Sequence, residues 1–300
     1  MPELKFIKKV AIVGATGTIG KYIVEALLQK GQHEVTAITR KGSTSVMPAG
    51  VTPAAVDYEN PSTFVEALRG QEALIITLPS TGLDQQATQL KLVEAAAEAD
   101  VPYVLPNEWT VDMADEKLAD DVFFSGEREI HRRVEELGVS AWMAFVTSFW
   151  YEFSLGLSPL CYGLDWAGRT FTFYDEGTRK INTILSPWRR ALPRNLQQQI
   201  RLRIVLSGQP AGHVRVSGSG DGHRPHKRLD AAARGGDRAG YMKLLYARVF
   251  FPDGACNFEA RRGLDNKALG LPWEDLDEWT RVAIKNAEAG IKYGPGSGSS

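Results

Sequence analysis

The sequence predicts an α/β fold: a doubly wound parallel sheet followed by a smaller C-terminal part. Three observations support this. Apolar, β-rich runs alternate with helical periodicity from Lys9 to Val146. The first of these runs ends in spaced glycines that open a helix. Finally, 300 residues at 43% apolar and 24% charged are enough to bury a large core.

The first strand is the run VAIVG from Val10, and KYIVEALLQKG beyond the glycines carries apolar residues at helical spacing. EVTAIT at 34–39 and VTPAAVDY at 51–58 read as the next two strands. A helix from Pro61 to Leu68 leads into the strand ALIITLP at 73–79. A longer helix from Asp84 to Ala99 precedes PYVLP, and another from Ser125 to Leu137 precedes SAWMAFV. Strands and helices alternating at this pace require crossover helices on both faces of a parallel sheet. Near the C-terminus, Trp273 to Ala289 forms an amphipathic helix with Leu276, Trp279, Val282 and Ala283 on one face, and GPGSGSS reads as a flexible tail.

A formal net charge of -1 gives no global reason to expect nucleic acid or an anionic membrane as partner. Two distant cysteines, Cys161 and Cys256, make no disulfide framework, and no apolar run reaches the length of a membrane span. The basic start MPELKFIKK lacks the apolar stretch of a secretory signal. The expectation is a cytoplasmic protein with a small-molecule substrate, no nucleic acid and no membrane.

The glycine turn carries the first chemistry. Gly14, Gly17 and Gly20, with Ala15, Thr16, Thr18 and Ile19 between them, stand between a strand and a helix. Glycines there allow a tight turn and close backbone approach to a pyrophosphate, with helix amides facing the anion. The spacing is GxxGxxG, and its context is that of a Rossmann-type dinucleotide-binding domain. At the end of the second strand, where an NAD site places an acidic residue, the chain has Thr39, Arg40 and Lys41. Two cations suit a 2'-phosphate, so the expected cofactor is NADP(H). Asp57 suits the adenine end and equally a turn before Asn60, Pro61 and Ser62. Thr77, Leu78 and Pro79 end the fourth strand, where a nicotinamide ribose would lie.

VAIVGATGTIGKYIVEALLQKG with TRKG, then LPNEWTVD, then FFPDGACNFEARRGLDNKALGLP, resembles the fungal NmrA-like and isoflavone-reductase-like proteins, an atypical branch of the short-chain dehydrogenases. The resemblance covers about residues 7–182 and 236–290. It implies NADP(H) in a Rossmann-type domain over 1–150 and a substrate-binding part over 151–290, with a flexible tail at 291–300. Some members reduce small aromatic or secondary metabolites, and others are redox-sensing regulators. No tyrosine here has a lysine four residues on, so the common Tyr-Lys dyad is absent. Isoflavone-type reductases carry a lysine on the helix before the sixth strand. That helix here reads SGEREIHRRVEELG, with Glu127 at the approximate lysine position. The catalytic candidates are therefore Glu127, His131 one turn along, and Asn107 and Glu108 at the carboxyl edge of the fifth strand. Trp109, Phe149, Trp150 and Tyr151 suit either an aromatic wall or core packing.

The middle of the chain breaks the pattern. From Glu176 to Glu259 there is no further glutamate, and arginine and glycine accumulate without periodicity. The stretch contains HRPH at 223–226, whose two histidines lack the further ligands of a metal site, so no metal is assigned. No aromatic residue lies between Trp188 and Tyr241, which weighs against a nucleic-acid arm. Residues 184–236 read as frameshifted or disordered. Read one base later, suitable codons for Ile200 to Arg215 can spell SVYVSSFQVSQQDMFE, a strand and a helix start. Two functions follow: an NADP(H)-dependent oxidoreductase acting on a small aromatic or carbonyl-bearing metabolite, or a non-catalytic NADP(H)-binding redox sensor with a regulatory protein partner.

Overall fold

The computed structural model describes residues 6–79, 85–112, 125–157, 159–165, 168, 170–172, 180–184, 245–246, 256–257, 259–260, 263 and 275–290. Most of the anomalous middle, its HRPH stretch and the glycine–serine tail lie outside these residues. The described residues divide into two units, one drawn from 6–109 and 125–146, the other from 110–112 and from 147 onward.

The first unit holds β1 (Lys9–Val13), α1 (Gly20–Lys30), β2 (Glu34–Arg40), β3 (Val51–Val56), α2 (Ser62–Leu68), β4 (Ala73–Ile76), α3 (Gln85–Glu98), β5 (Tyr103–Leu105), α4 (Ser125–Leu137) and β6 (Ala141–Trp142). All six strands pair in parallel in the order β3-β2-β1-β4-β5-β6. This is the Rossmann order. The chain winds outward from β1 to β3, then restarts at β4 on the other side of β1, which opens a crevice at the carboxyl ends of β1 and β4.

Burial explains the strand sequences. Central β4 is buried along its whole length and β1 all but its first residue, hence the unbroken runs ALII and VAIV. Edge strand β3 is largely exposed and tolerates Pro53. Phe64, Val65 and Leu68 of α2, Leu92, Val93 and Ala96 of α3, and Ile130 and Val134 of α4 form one cluster with Ala11, Val13, Leu74, Ile76 and Val104. Each large side chain buried there contributes roughly 1.5–3 kcal/mol. At the end of α1, Gly31 takes a left-handed φ of 64° and its N–H caps the Leu28 carbonyl. The strands expected in PYVLP and SAWMAFV are short, three and two residues.

The second unit holds β7 (Phe149–Trp150), α5 (Tyr151–Leu157), α6 (Pro159–Tyr162), β8 (Leu164–Asp165), β9 (Thr170–Phe171), β10 (Thr183–Ile184) and α7 (Leu276–Glu288). β10 pairs in parallel with β7, and β8 pairs antiparallel with β9. Hydroxyls stitch this unit together: Thr183 Oγ1 donates to the Phe149 carbonyl at 2.6 Å, and Ser154 meets Tyr246 at 2.8 Å. The side chain of Asp275 caps α7 by accepting the N–H groups of Asp277 and Glu278. The α7 face anticipated from its spacing is the covered one, with Ala283 buried, and Thr280 on it bonds Tyr151 at 2.7 Å. Cys161 and Cys256 are buried and form no disulfide.

Candidate functional site

The glycine turn closes onto the end of β4. Gly14 has a φ of 80°, and a Cβ placed on it would lie 2.0 Å from the Thr77 carbonyl oxygen. A Cβ on Gly20 would lie 2.0 Å from the Gly14 oxygen. Only glycine allows both approaches. The Gly17 N–H donates to the Gly14 carbonyl at 2.8 Å, and the Thr77 hydroxyl donates to the Val13 carbonyl at 2.7 Å. Ala15 and Ile19 are buried and anchor the turn, whereas Thr16 is exposed and Gly17 and Thr18 are half-buried. α1 starts with no side-chain cap and no acidic residue in its first turn. The Lys21 N–H bonds the Gly17 carbonyl at 3.2 Å and the Tyr22 N–H the Ile19 carbonyl at 3.0 Å, while the positive end of the helix dipole faces the glycine turn with no acidic side chain against it, a cradle that fits the pyrophosphate of a dinucleotide.

Arg40 is the last residue of β2, and its exposed guanidinium lies over the Tyr58 ring at 5.1 Å. Burial raises the Tyr58 hydroxyl above its usual range, with Arg40 opposing. Lys41 is exposed, and its N–H donates to the Val56 carbonyl at 2.8 Å. Among the described residues neither cation has an ion-pair partner, and both stand exposed at the strand end where a 2'-phosphate could meet them. Of the two roles open to Asp57, its contacts serve the turn. Its Oδ1 accepts the Glu59 N–H at 3.0 Å, its carbonyl accepts the Asn60 N–H at 3.0 Å, and its own N–H donates to Thr63 Oγ1 at 3.0 Å.

Beyond Thr77 runs a chain of polar groups. Leu78 donates its N–H to Asn107 Oδ1 at 3.0 Å, and Asn107 Nδ2 returns a bond to the Leu78 carbonyl at 3.0 Å. The Asn107 N–H donates to Gln89 Oε1 at 3.0 Å, which turns Gln89 Nε2 toward the Glu127 carboxyl at 3.3 and 3.5 Å. Glu108, only 3% exposed, pairs with His131 Nε2, and the His131 ring stacks on Trp142 with centroids 3.7 Å apart. Burial first and the Glu108 charge second push the Glu127 carboxyl up to about 8, against the Gln89 hydrogen bond. One carboxyl is thus pushed toward its neutral form beside another that is bonded to a histidine.

Of the four catalytic candidates, Asn107 and Glu127 thus belong to the chain that grips Leu78, and Glu108 and His131 form a separate bonded pair whose carboxylate acts on Glu127 through its charge. Pro79 is exposed beside it. The aromatic residues are engaged in packing. Trp109 donates to the Ile76 carbonyl at 2.9 Å and stacks on Phe145; within the second unit, Phe149 packs on Tyr246 and Trp150 on Phe153. Sequence reasoning missed Gln89, Tyr58 and Trp142. Gln89 left a signal: it stands at helical spacing with Leu92, Val93 and Ala96, a polar residue on the buried stripe of α3.

A model of the NmrA-like family matches residues 7–158. The oxidoreductase aprR of Aspergillus flavus is 31% identical over 152 residues, which cover 49% of this chain and 50% of that protein. The isoflavone reductase homolog P3 of Arabidopsis thaliana is 31% identical over 144 residues, 44% of this chain and 45% of that one. The chain thus matches about half the length of these curated relatives. A structure from a study of pinoresinol-lariciresinol and phenylcoumaran benzylic ether reductases aligns over 92% of this chain and 99% of its own, with a TM-score of 0.63 at 20% identity. The leucoanthocyanidin reductase–NADPH complex of Vitis vinifera aligns over the same shares with a TM-score of 0.65 at 14% identity. These likenesses show the fold. Among the described residues no helix is long and apolar enough to cross a membrane.

Proposed function

Since the chain belongs to the NmrA-like family, we propose that it is an NADP(H)-dependent oxidoreductase acting on a small aromatic or carbonyl-bearing metabolite. The observation that carries this reading is the start of α1 behind Gly14 and Gly20, which has no side-chain cap, with Arg40 exposed at the end of β2. Gly14 to Gly20 would hold the pyrophosphate, Arg40 and Lys41 the 2'-phosphate, and Thr77 to Pro79 would border the nicotinamide half. A bound reduced nicotinamide supplies a hydride; the chain binds, orients and manages the proton. The matched relatives bear the names oxidoreductase and isoflavone reductase homolog, which supports a reductase reading with an aromatic substrate class.

Binding titrations with NADPH and NADH test the cofactor assignment. Arg40→Ala should weaken NADPH roughly tenfold or more, the loss of one charge-assisted phosphate contact, and leave NADH nearly unchanged. Equal effects on the two would sink the NADP(H) assignment. A panel of aromatic aldehydes, ketones and enones followed by NADPH oxidation tests turnover. One observation favours a second reading, that of a redox sensor with a protein partner: Glu127 stands where isoflavone-type reductases carry lysine. NADPH bound tightly with no turnover across the panel would favour it.

A further inference from the structure

Glu127, Glu108, His131 and Gln89 form a cluster more elaborate than packing of α3 against α4 demands. The groups facing Glu127 can be named element by element. Glu108 comes from the end of β5, Gln89 from α3, and His131 from the next turn of α4. Of the other charges of α4, Glu129 bonds Gln86, Arg132 bonds Glu136, Arg133 pairs with Glu94 at 2.7 Å and Glu135 accepts from Trp142 Nε1 at 3.0 Å. His131 is bonded to Glu108, and among the described residues no cation forms an ion pair with Glu127.

Gln89 cannot flip without losing the Asn107 N–H, so it presents a donor to Glu127. Among the described residues, Gln89 is the group hydrogen-bonded to that carboxyl, and none accepts from it. The result is a carboxyl anchored on one side through Gln89 and Asn107 to the Leu78 backbone at the carboxyl edge of the sheet, with no other hydrogen-bond partner among the described residues.

From this geometry we infer that Glu127 is the catalytic acid of a carbonyl reduction, handing its proton to the substrate oxygen, and that Gln89 and the Glu108–His131 pair are its positioning residues. This rests on the oxidoreductase reading above. The balance is simple. Hydride from the reduced nicotinamide forms the new C–H bond, and the carbonyl π pair moves onto oxygen. That oxygen takes the Glu127 proton, so the carbonyl is reduced to an alcohol and NADPH oxidised to NADP+. Glu127 is left as a carboxylate and regains a proton from water. Burial first and the Glu108 charge second raise the proton affinity of a carboxylate formed there, which favours the acid as the resting state at neutral pH.

The test uses the full chain with NADPH and para-nitrobenzaldehyde, together with infrared difference spectra of the protein without cofactor. Wild type at about pH 6.5 should show a protonated-carboxyl band that Glu127→Gln removes. Glu127→Gln should bind NADPH within about threefold of wild type yet oxidise it about 100-fold more slowly. Glu108→Gln should move the titration of the band and the fall of the rate at high pH together toward lower pH, a shift that a purely structural role would not give. If wild type lacks the band, if Glu127→Gln keeps the wild-type rate, or if wild type binds NADPH but leaves the aldehyde untouched, the inference is overturned while NADP(H) binding stands. A wild type that does not bind NADPH overturns the oxidoreductase reading itself.

Discussion

Replacing Glu127 with glutamine removes one titration while keeping the oxygen that accepts from Gln89, so the stability of the cofactor-free protein against pH reports on that proton alone. Glu127 rises from its ordinary 4.5 to about 8. Between these values the folded chain holds a proton that the unfolded chain has released. The stability linked to this group is therefore complete below about 4.5, declines as the pH rises, and is gone once the pH passes about 8. Each pH unit in that window is worth about 1.4 kcal/mol. With solvent reaching part of the side chain, the recoverable span is roughly 2–4 kcal/mol. Urea unfolding followed by tryptophan fluorescence, with Trp109 and Trp142 reporting on the first unit, would measure it for both proteins. Glu127→Gln should gain on wild type by that amount between about pH 5 and 8. A difference flat to within about 0.5 kcal/mol would refute the argument, as would one that grows toward low pH, because either means that Glu127 is ionised when folded.

A methyl group on Gly20 would meet the Gly14 oxygen at 2.0 Å. Gly20→Ala should therefore cost on the order of 2–4 kcal/mol and at least tenfold in NADPH affinity, and a wild-type melting curve and binding isotherm would show the turn is not so tight. Asn107→Asp keeps the acceptor for the Leu78 N–H but sets an oxygen against the Leu78 carbonyl now bonded at 3.0 Å; the expected loss is about 1–3 kcal/mol in urea unfolding at neutral pH, and no loss would dismiss the clamp. For residues 184–236, the frame reading predicts that transcripts covering those codons carry two compensating single-base differences from the frame given by this sequence, and transcripts that match it throughout would end that reading.

Much of the first unit was legible in the sequence because its signals are local. The spacing of apolar residues gave α4 its exact ends, Ser125 and Leu137, and placed α2 and α3 within a residue or so at each end. Glycine spacing placed the turn, since Gly14 and Gly20 are needed for sterics within one short loop. Arg40 was legible for the same reason: it is the residue at a strand end. The short strand of Ala141–Trp142 was overestimated, because an apolar run such as SAWMAFV can bury its side chains without continuing a ladder.

The sequence by itself therefore determined the parallel α/β order, the glycine turn and the cationic end of β2. All of these are set by neighbours along the chain and by the periods of helix and strand. Only the tertiary structure decided the state of Glu127. Its hydrogen-bond donor, Gln89, lies 38 residues earlier in the chain, and Glu108, whose charge adds to burial in raising it, is bonded to His131 across 23 residues. Packing of α3 against α4 over the end of β5 brings these groups together. A carboxyl's proton affinity is fixed by the dielectric and charges around it in space, so no pattern along the chain could state it.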